Sequence, residues 1–97
     1  MLTQDEIREA VRAVASKYNI ENVYLFGSYA RGDATEDSDC DLRVVGGDVR
    51  GLFQLAGLYL DFEKALGKPV DVVMTKNMTT SFYELIQDEE VLIYAKI

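Results

Sequence analysis

The sequence predicts an α/β (α+β) protein: a small mixed β-sheet with helices packed against it. Three observations carry that expectation. Helical and strand-like hydrophobic periods alternate along the chain in the order α-β-α-β-α-β-α-β. The apolar strand segments are short and bounded by glycine, proline or acidic turn residues. No repeat, low-complexity tract or linker divides the 97 residues, so residues 1–97 are expected to form a single domain. A chain of this size buries roughly 60–65% of its unfolded surface and cannot hold two cores.

Thr3-Gln4-Asp5-Glu6 has the form of a capping box. Ile7, Val11, Val14 and Tyr18 follow at helical spacing, so a helix is expected over residues 3–18, stopped by Asn19. Val23-Tyr24-Leu25-Phe26 reads as a strand closed by Gly27, and Ser28 opens a short second helix. Residues 39–45 form the second strand, ended by Gly46-Gly47. A long helix is expected over residues 49–66, with a core stripe of Leu52, Leu55, Ala56, Tyr59, Phe62 and Leu66 and Gly67 as its stop. Phe53 and Leu60 fall on one flank of that stripe and Leu58 on the other, more apolar surface than one sheet needs. Pro69 opens a third strand, where no ladder donor is required, and Val70–Met74 continue it. Ser81-x-x-Glu84 is a second capping-box pattern, opening a helix through about Gln87, and Val91-Leu92-Ile93-Tyr94 is the last strand.

Charge and composition exclude several classes. Ten Lys and Arg stand against seventeen Asp and Glu, giving a net charge of −7 with no basic run. Tight nucleic-acid binding needs a basic face for phosphate contacts, so that partner is disfavoured. There is no histidine and one cysteine, which rules out an internal disulfide and leaves no ligand set for zinc. Cys40 falls at a core-facing position, as a buried, inert thiol would. No apolar run approaches the ~20 residues that span a bilayer, and the N-terminus reads as a polar helix start rather than a signal peptide. A cytoplasmic protein is the expectation.

The chemistry concentrates in residues 27–42: Gly27-Ser28-Tyr29-Ala30-Arg31-Gly32, an acidic loop, then Ser38-Asp39-Cys40-Asp41-Leu42. Five acids lie within nine residues (Asp33, Glu36, Asp37, Asp39, Asp41), a density that invites divalent cations. On a strand, side chains alternate between faces, so Asp39 and Asp41 project together while Cys40 and Leu42 enter the core. Two neighbouring carboxylates repel unless a cation lies between them. A hard oxygen-seeking ion such as Mg2+, shared with a polyphosphate, suits that pair. The Gly27-x-x-x-x-Gly32 spacing matches a P-loop, but Asp33 and Ala34 stand where lysine and Ser/Thr are required, so that reading fails. Asp37-x-Asp39-x-Asp41 fails as an EF-hand, because Leu42 and Asp48 replace its glycine and glutamate.

What survives is a turn whose backbone N–H groups and Ser28 hydroxyl can hold a terminal phosphate, facing a carboxylate pair on the next strand. Arg31 is the one cation in this segment, placed to meet phosphate oxygens. Asp71, flanked by valines in an apolar strand, completes a three-carboxylate cluster if that strand neighbours the one bearing Asp39 and Asp41. Each residue alone also has a structural reading. A Gly-Ser turn is commonly only a turn, Ser38-Asp39 can be a local cap, Arg31 an ion-pair partner, and Asp71 an edge-strand aspartate facing solvent.

Taken together, Gly27-Ser28-x-Ala30-Arg31-Gly32 and Ser38-Asp39-x-Asp41-Leu42 resemble the signature of the DNA polymerase β-like nucleotidyltransferase superfamily. The chain is similar to the superfamily's minimal nucleotidyltransferase branch throughout, including Asp71 in its valine-rich strand and the ending Ile86-x-x-Glu89-x-Val91-Leu92-Ile93-Tyr94. The resemblance implies that Asp39 and Asp41 bind two divalent metals, Mg2+, that bridge the phosphates of a nucleotide. It implies that Asp71 helps hold the catalytic metal and assists deprotonation of the attacking hydroxyl. Gly27 and Ser28 would grip the β/γ-phosphates, with Arg31 adding a contact.

Two metals ~3.5–4 Å apart stabilise the attacking and leaving oxygens of an in-line displacement together, so this metal set fits nucleotidyl transfer. Nothing in so short a chain is left over to hold an acceptor, so a partner or an oligomer is expected to supply that surface. In the branch the resemblance points to, such proteins are antitoxins paired with a helical HEPN-domain ribonuclease toxin. They transfer AMP from ATP to a tyrosine hydroxyl of the toxin. Two other readings stay open: a non-catalytic antitoxin that masks its toxin by binding, and a nucleotidyltransferase for a small molecule of the aminoglycoside type. The choice of base, the acceptor residue and the stoichiometry are not legible in the sequence.

Overall fold

The computed structural model describes residues 1–96; Ile97, the end of the expected 1–97 span, lies outside the described residues. Helix α1 (Gln4–Lys17) starts on the anticipated capping box: Thr3 Oγ1 accepts the Glu6 N–H at 3.1 Å and the Glu6 carboxylate accepts the Thr3 N–H at 2.9 Å. Its apolar stripe of Ile7, Val11, Val14 and Ala15 is buried. Asn19, at φ 55, reverses the chain after it. Strand β1 (Asn22–Phe26), the one-turn helix α2 (Ser28–Arg31) and strand β2 (Cys40–Val45) follow. Then come α3 (Gly51–Leu66), β3 (Val70–Met74), a 3-10 turn (Thr75–Asn77), α4 (Thr80–Ile86) and β4 (Val91–Ala95).

The four strands form one mixed sheet in the order β3-β2-β1-β4. β1 runs antiparallel to both β2 and β4, and β2 runs parallel to β3. The parallel pair requires a crossover, which α3 supplies. Alternation along the strands sends Val23, Leu25, Cys40, Leu42, Val44, Val70, Val72 and Met74 into a core shared with α1 and α3. The opposite face carries Tyr24, Asp41, Arg43 and Asp71, partly covered by α4, where Phe82 packs edge-on against Phe26 at 5.9 Å between ring centres. No helix among the described residues is long and apolar enough to cross a membrane.

Two expectations need correction. The stripe of α3 passes through Leu55, Leu58, Tyr59, Phe62 and Leu66: Leu58 is fully buried, Leu52 is 82% exposed and Ala56 is exposed too. The first turn of α3 is left open to solvent, with Leu52 and its neighbour Phe53, at 97% exposure, uncovered. Helix α4 is capped by Thr79, not by Ser81. Thr79 Oγ1 accepts the Phe82 N–H at 3.1 Å, which starts the helix two residues early and turns Phe82 toward Phe26.

Candidate active site

Strand pairing sets two of the three predicted carboxylates side by side and leaves the third, Asp39, at the approach to β2. β3 lies beside β2 with Asp41 directly in register with Asp71, and neighbouring strands are about 4.8 Å apart. The expected strand began at Asp39, but β2 begins at Cys40 and leaves Asp39 just before it, with Cys40 N–H bonded to Pro69 O at 3.2 Å. Asp41 is half-buried while Asp39 and Asp71 are exposed. Burial, then the like charges of Asp71 and Asp39, push the Asp41 carboxyl up to about 6. Cys40, on the opposite face, is fully buried and its thiol is pushed up to about 12 by burial, as an inert core cysteine would be.

The Gly27-Ser28 turn leaves β1 at Phe26, whose register partner is Asp41. Gly27 sits at φ 74, and a Cβ there would fall 2.0 Å from Asp41 Oδ2. Only glycine allows the turn to approach the carboxylate this closely. The predicted Gly27, Ser28, Asp41 and Asp71 are therefore brought together, with Asp39 at the strand's entrance.

Arg31 is also present, but it is not free. Its guanidinium donates to Glu89 Oε2 at 3.1 Å and to Asp33 Oδ2 at 3.3 Å. The second Glu89 oxygen accepts the Gly27 N–H at 2.9 Å. These two bonds, the Gly27 amide foremost, hold the Glu89 carboxyl below its ordinary value. Glu89 thus clamps the turn to its arginine, a role that the sequence reading did not assign it. Its only sequence signal was its place in the Ile86-x-x-Glu89 ending.

Lys68 was missed as well. Its ammonium donates to Tyr29 Oη at 2.6 Å and to the Ser38 carbonyl, tying α2 to the loop that delivers Asp39. No pattern in the sequence marks that contact, which spans 30 and 39 residues.

The donor set is all carboxylate oxygen, and burial with the like charges of Asp71 and Asp39 raises Asp41 against the partial relief that Arg31 gives it. That chemistry fits a hard divalent ion. Among the described residues no three of these groups are drawn together as a ready-made cage. A metal here would complete its shell with oxygens that are not the protein's own.

Residues 9–96 match the family of polymerase beta nucleotidyltransferases. The chain belongs to that family. It is 31% identical over 97 residues to the protein adenylyltransferase MntA of Thermococcus cleftensis, covering 96% of this chain and 98% of the relative. It also superposes on a solved structure assigned to the minimal nucleotidyltransferases with a TM-score of 0.77, at 34% identity, over 94% of this chain and 96% of the other. A third likeness is to an MNT antitoxin solved in complex with a tri-AMPylated HEPN toxin of Shewanella oneidensis. There the TM-score is 0.74 at 19% identity, over 97% of this chain and 74% of that one, and it supports the fold. The family acts on nucleotides and generally uses a divalent metal.

Proposed function

We propose that this chain is a Mg2+-dependent protein adenylyltransferase that moves AMP from ATP to a tyrosine hydroxyl of a partner HEPN toxin, and so serves as its antitoxin in the cytoplasm. The observation that carries the reading is the Asp41–Asp71 register pair, with the Asp41 carboxylate lying against Gly27 and its carboxyl raised by burial and by its acidic neighbours. The 31% identity to a full-length protein adenylyltransferase supports the reaction class, and the toxin complex of the structural neighbour supports the partner.

In this scheme Asp39, Asp41 and Asp71 are the residues that would hold two Mg2+ ions. The metals would supply the positive charge that stabilises oxygens on both sides of the reacting phosphorus. Ser28 holds the terminal phosphates through its hydroxyl and backbone N–H. Gly27 contributes the space that lets the turn reach Asp41, since its own N–H already serves Glu89. Arg31, oriented by Glu89, lends its remaining donors to phosphate oxygens. Asp71, exposed on the edge strand, accepts the proton of the attacking hydroxyl. The new bond joins the acceptor oxygen to the α-phosphorus, the bond from that phosphorus to the bridging oxygen breaks, and pyrophosphate leaves.

The test is the intact mass of the partner toxin after incubation with this chain, Mg2+ and ATP, with an Asp39→Asn/Asp41→Asn double variant in parallel. Gain of one or more AMP units with the parent chain and none with the variant is expected. A second reading, masking by binding, is favoured by the exposed Leu52, Phe53 and Leu60 on α3. A double variant that still silences the toxin in a stable complex, with no mass gain in either reaction, would establish masking instead.

A further inference from the structure

The face of the sheet that carries the carboxylates continues into a cleft that the reaction scheme does not use. Asp41 pairs with Asp71, and the next rung on the same face is Arg43 with Val73. Same-face residues on a strand are about 6.6 Å apart. Arg43 Nη1 donates to Thr75 Oγ1 at 3.0 Å, which shows that the end of β3 keeps to this face. Between this rung and α4 lies a cavity of about 320 Å3, lined by Arg43, Thr75, Met78, Thr79, Thr80 and Tyr83. That volume is at the small end of the range for sites that hold a small organic ligand.

We propose that this cleft seats the purine ring of the donor nucleotide. The inference rests on the reading that the chain binds a nucleoside triphosphate. Direction supports it first. Along β2 the Gly27-Ser28 turn and the cleft lie on opposite sides of the Asp41–Asp71 rung: the turn follows Phe26, the partner of Asp41, and the cleft begins at Arg43, two residues further on. A donor with its terminal phosphates on the turn and its α-phosphate at the carboxylates extends its nucleoside along β2 and β3 into the cleft.

Charge supports it next. The one cation in the lining, Arg43, is closed by Glu90 through Nε to Oε2 at 2.5 Å and Nη2 to Oε1 at 2.9 Å, with both side chains 6% exposed. No carboxylate lines the cleft. It therefore attracts neither phosphate nor a cation and suits an uncharged ring.

The lining chemistry matches such a ring. Tyr83 is 40% exposed and has its ring held by the Arg43 guanidinium, 5.1 Å from its centre, so it offers a fixed stacking wall. Met78 adds a polarisable, adaptable contact. Thr75 Oγ1 already accepts from Arg43 and Thr79 Oγ1 from Phe82 N–H, which leaves each hydroxyl proton to donate. Donors of that kind answer the ring nitrogens of a purine.

The experiment compares binding of a non-hydrolysable ATP analogue and of inorganic tripolyphosphate, both with Mg2+, by calorimetry. The proteins are the parent chain, Tyr83→Ala, Tyr83→Phe and Met78→Ala. The expected result is an affinity for the ATP analogue lower by about tenfold or more in Tyr83→Ala, since a stacked base is lost. Met78→Ala shows a smaller drop, Tyr83→Phe stays near parental, and tripolyphosphate binds equally to all. Should Tyr83→Ala fail to fold, Met78→Ala together with a cleft-filling Thr80→Trp carries the same comparison. Parental affinity for the ATP analogue in these variants overturns the proposal. If it comes with a raised KM for the protein acceptor alone, the cleft holds the acceptor side chain instead. Failure of the parent chain to bind either ligand overturns the nucleotide reading itself, and this inference with it.

Discussion

Asp41 and Arg43 stand two residues apart on the same face of β2, yet their surroundings are opposite in kind. Arg43 is closed on every side: Glu90 takes two of its nitrogens, Thr75 a third, and its guanidinium lies 4.2 Å from the Tyr24 ring centre and 5.1 Å from that of Tyr83. Asp41 has two acids beside it and no cation bonded to it, and its carboxyl rises to about 6. Folding satisfied the first charge and left the second in conflict. No buried polar side-chain atom among the described residues lacks a partner, so the conflict at Asp41 is not a general looseness of the fold. A charge arrangement that costs stability and is confined to one rung is what a site awaiting a counter-charge looks like.

The largest effect expected from breaking this contrast is at its satisfied end. Glu90→Ala leaves a buried guanidinium unpaired and should destabilise the fold by about 3–5 kcal/mol in chemical denaturation. Arg43→Met/Glu90→Leu together should recover most of that loss. If the single variant unfolds at the parental denaturant midpoint, the ion pair is not structural and the contrast collapses.

The unsatisfied end should behave in reverse. Asp41→Asn removes the conflict, so it should stabilise the fold by about 1 kcal/mol after allowance for its partial exposure. AMP transfer should meanwhile fall by roughly 10²–10³-fold or more. A thermal melt and a transfer assay on one preparation read both numbers, and a variant that loses activity and stability together would contradict the comparison.

The same carboxyl sets a pH dependence. Its folded-state pKa of about 6 lies above the ordinary carboxylate value, so the folded chain holds this proton more tightly than the unfolded chain does. The Asp41 contribution to stability therefore rises as pH falls from 7 through 6 toward the ordinary carboxylate range, and Asp41→Asn should abolish it. Denaturation midpoints of the two proteins between pH 7.5 and 5, taken as a difference, isolate the effect from other groups.

Between the two ends stands Glu89, which couples the turn to Arg31. Glu89→Ala frees the Gly27 amide and unpins Arg31, and kcat/KM for ATP should fall about tenfold through loss of positioning. A rise in ATP affinity would show that Glu89 competes with phosphate instead. The smallest effect is expected far from the site: Phe53→Ser, at 97% exposure, should shift stability by no more than about 0.5 kcal/mol. Phe62→Ala, on the buried stripe of the same helix, should cost about 3–5 kcal/mol.

The sequence by itself determined the elements and marked most of the residues of the candidate site. Local signals were enough for that: the Thr3 capping box, the β-strand alternation, Gly27 and Gly67 where φ is positive, and two motifs whose residue types have few other uses together. These are effects of nearest neighbours along the chain, and they are written in composition and spacing. The structure decided what depends on neighbours across the chain.

The Asp41–Asp71 rung needed β3 to lie parallel beside β2, which no local pattern specifies. The burial of Leu58 in place of Leu52 followed from how α3 is rotated against the sheet and α1. A period of 3.6 gives a stripe but not the rotation or reach of the helix over its partners. Thr79 prevailed over Ser81 as the cap of α4 because Phe82 had a ring to meet 56 positions away, at Phe26. Glu89, Glu90 and Lys68 looked in sequence like surface charges. They became a clamp, a buried ion pair and a loop tether only when folding placed Gly27, Arg43 and Ser38 opposite them, because an ionic hydrogen bond is short-ranged in space and indifferent to distance along the chain.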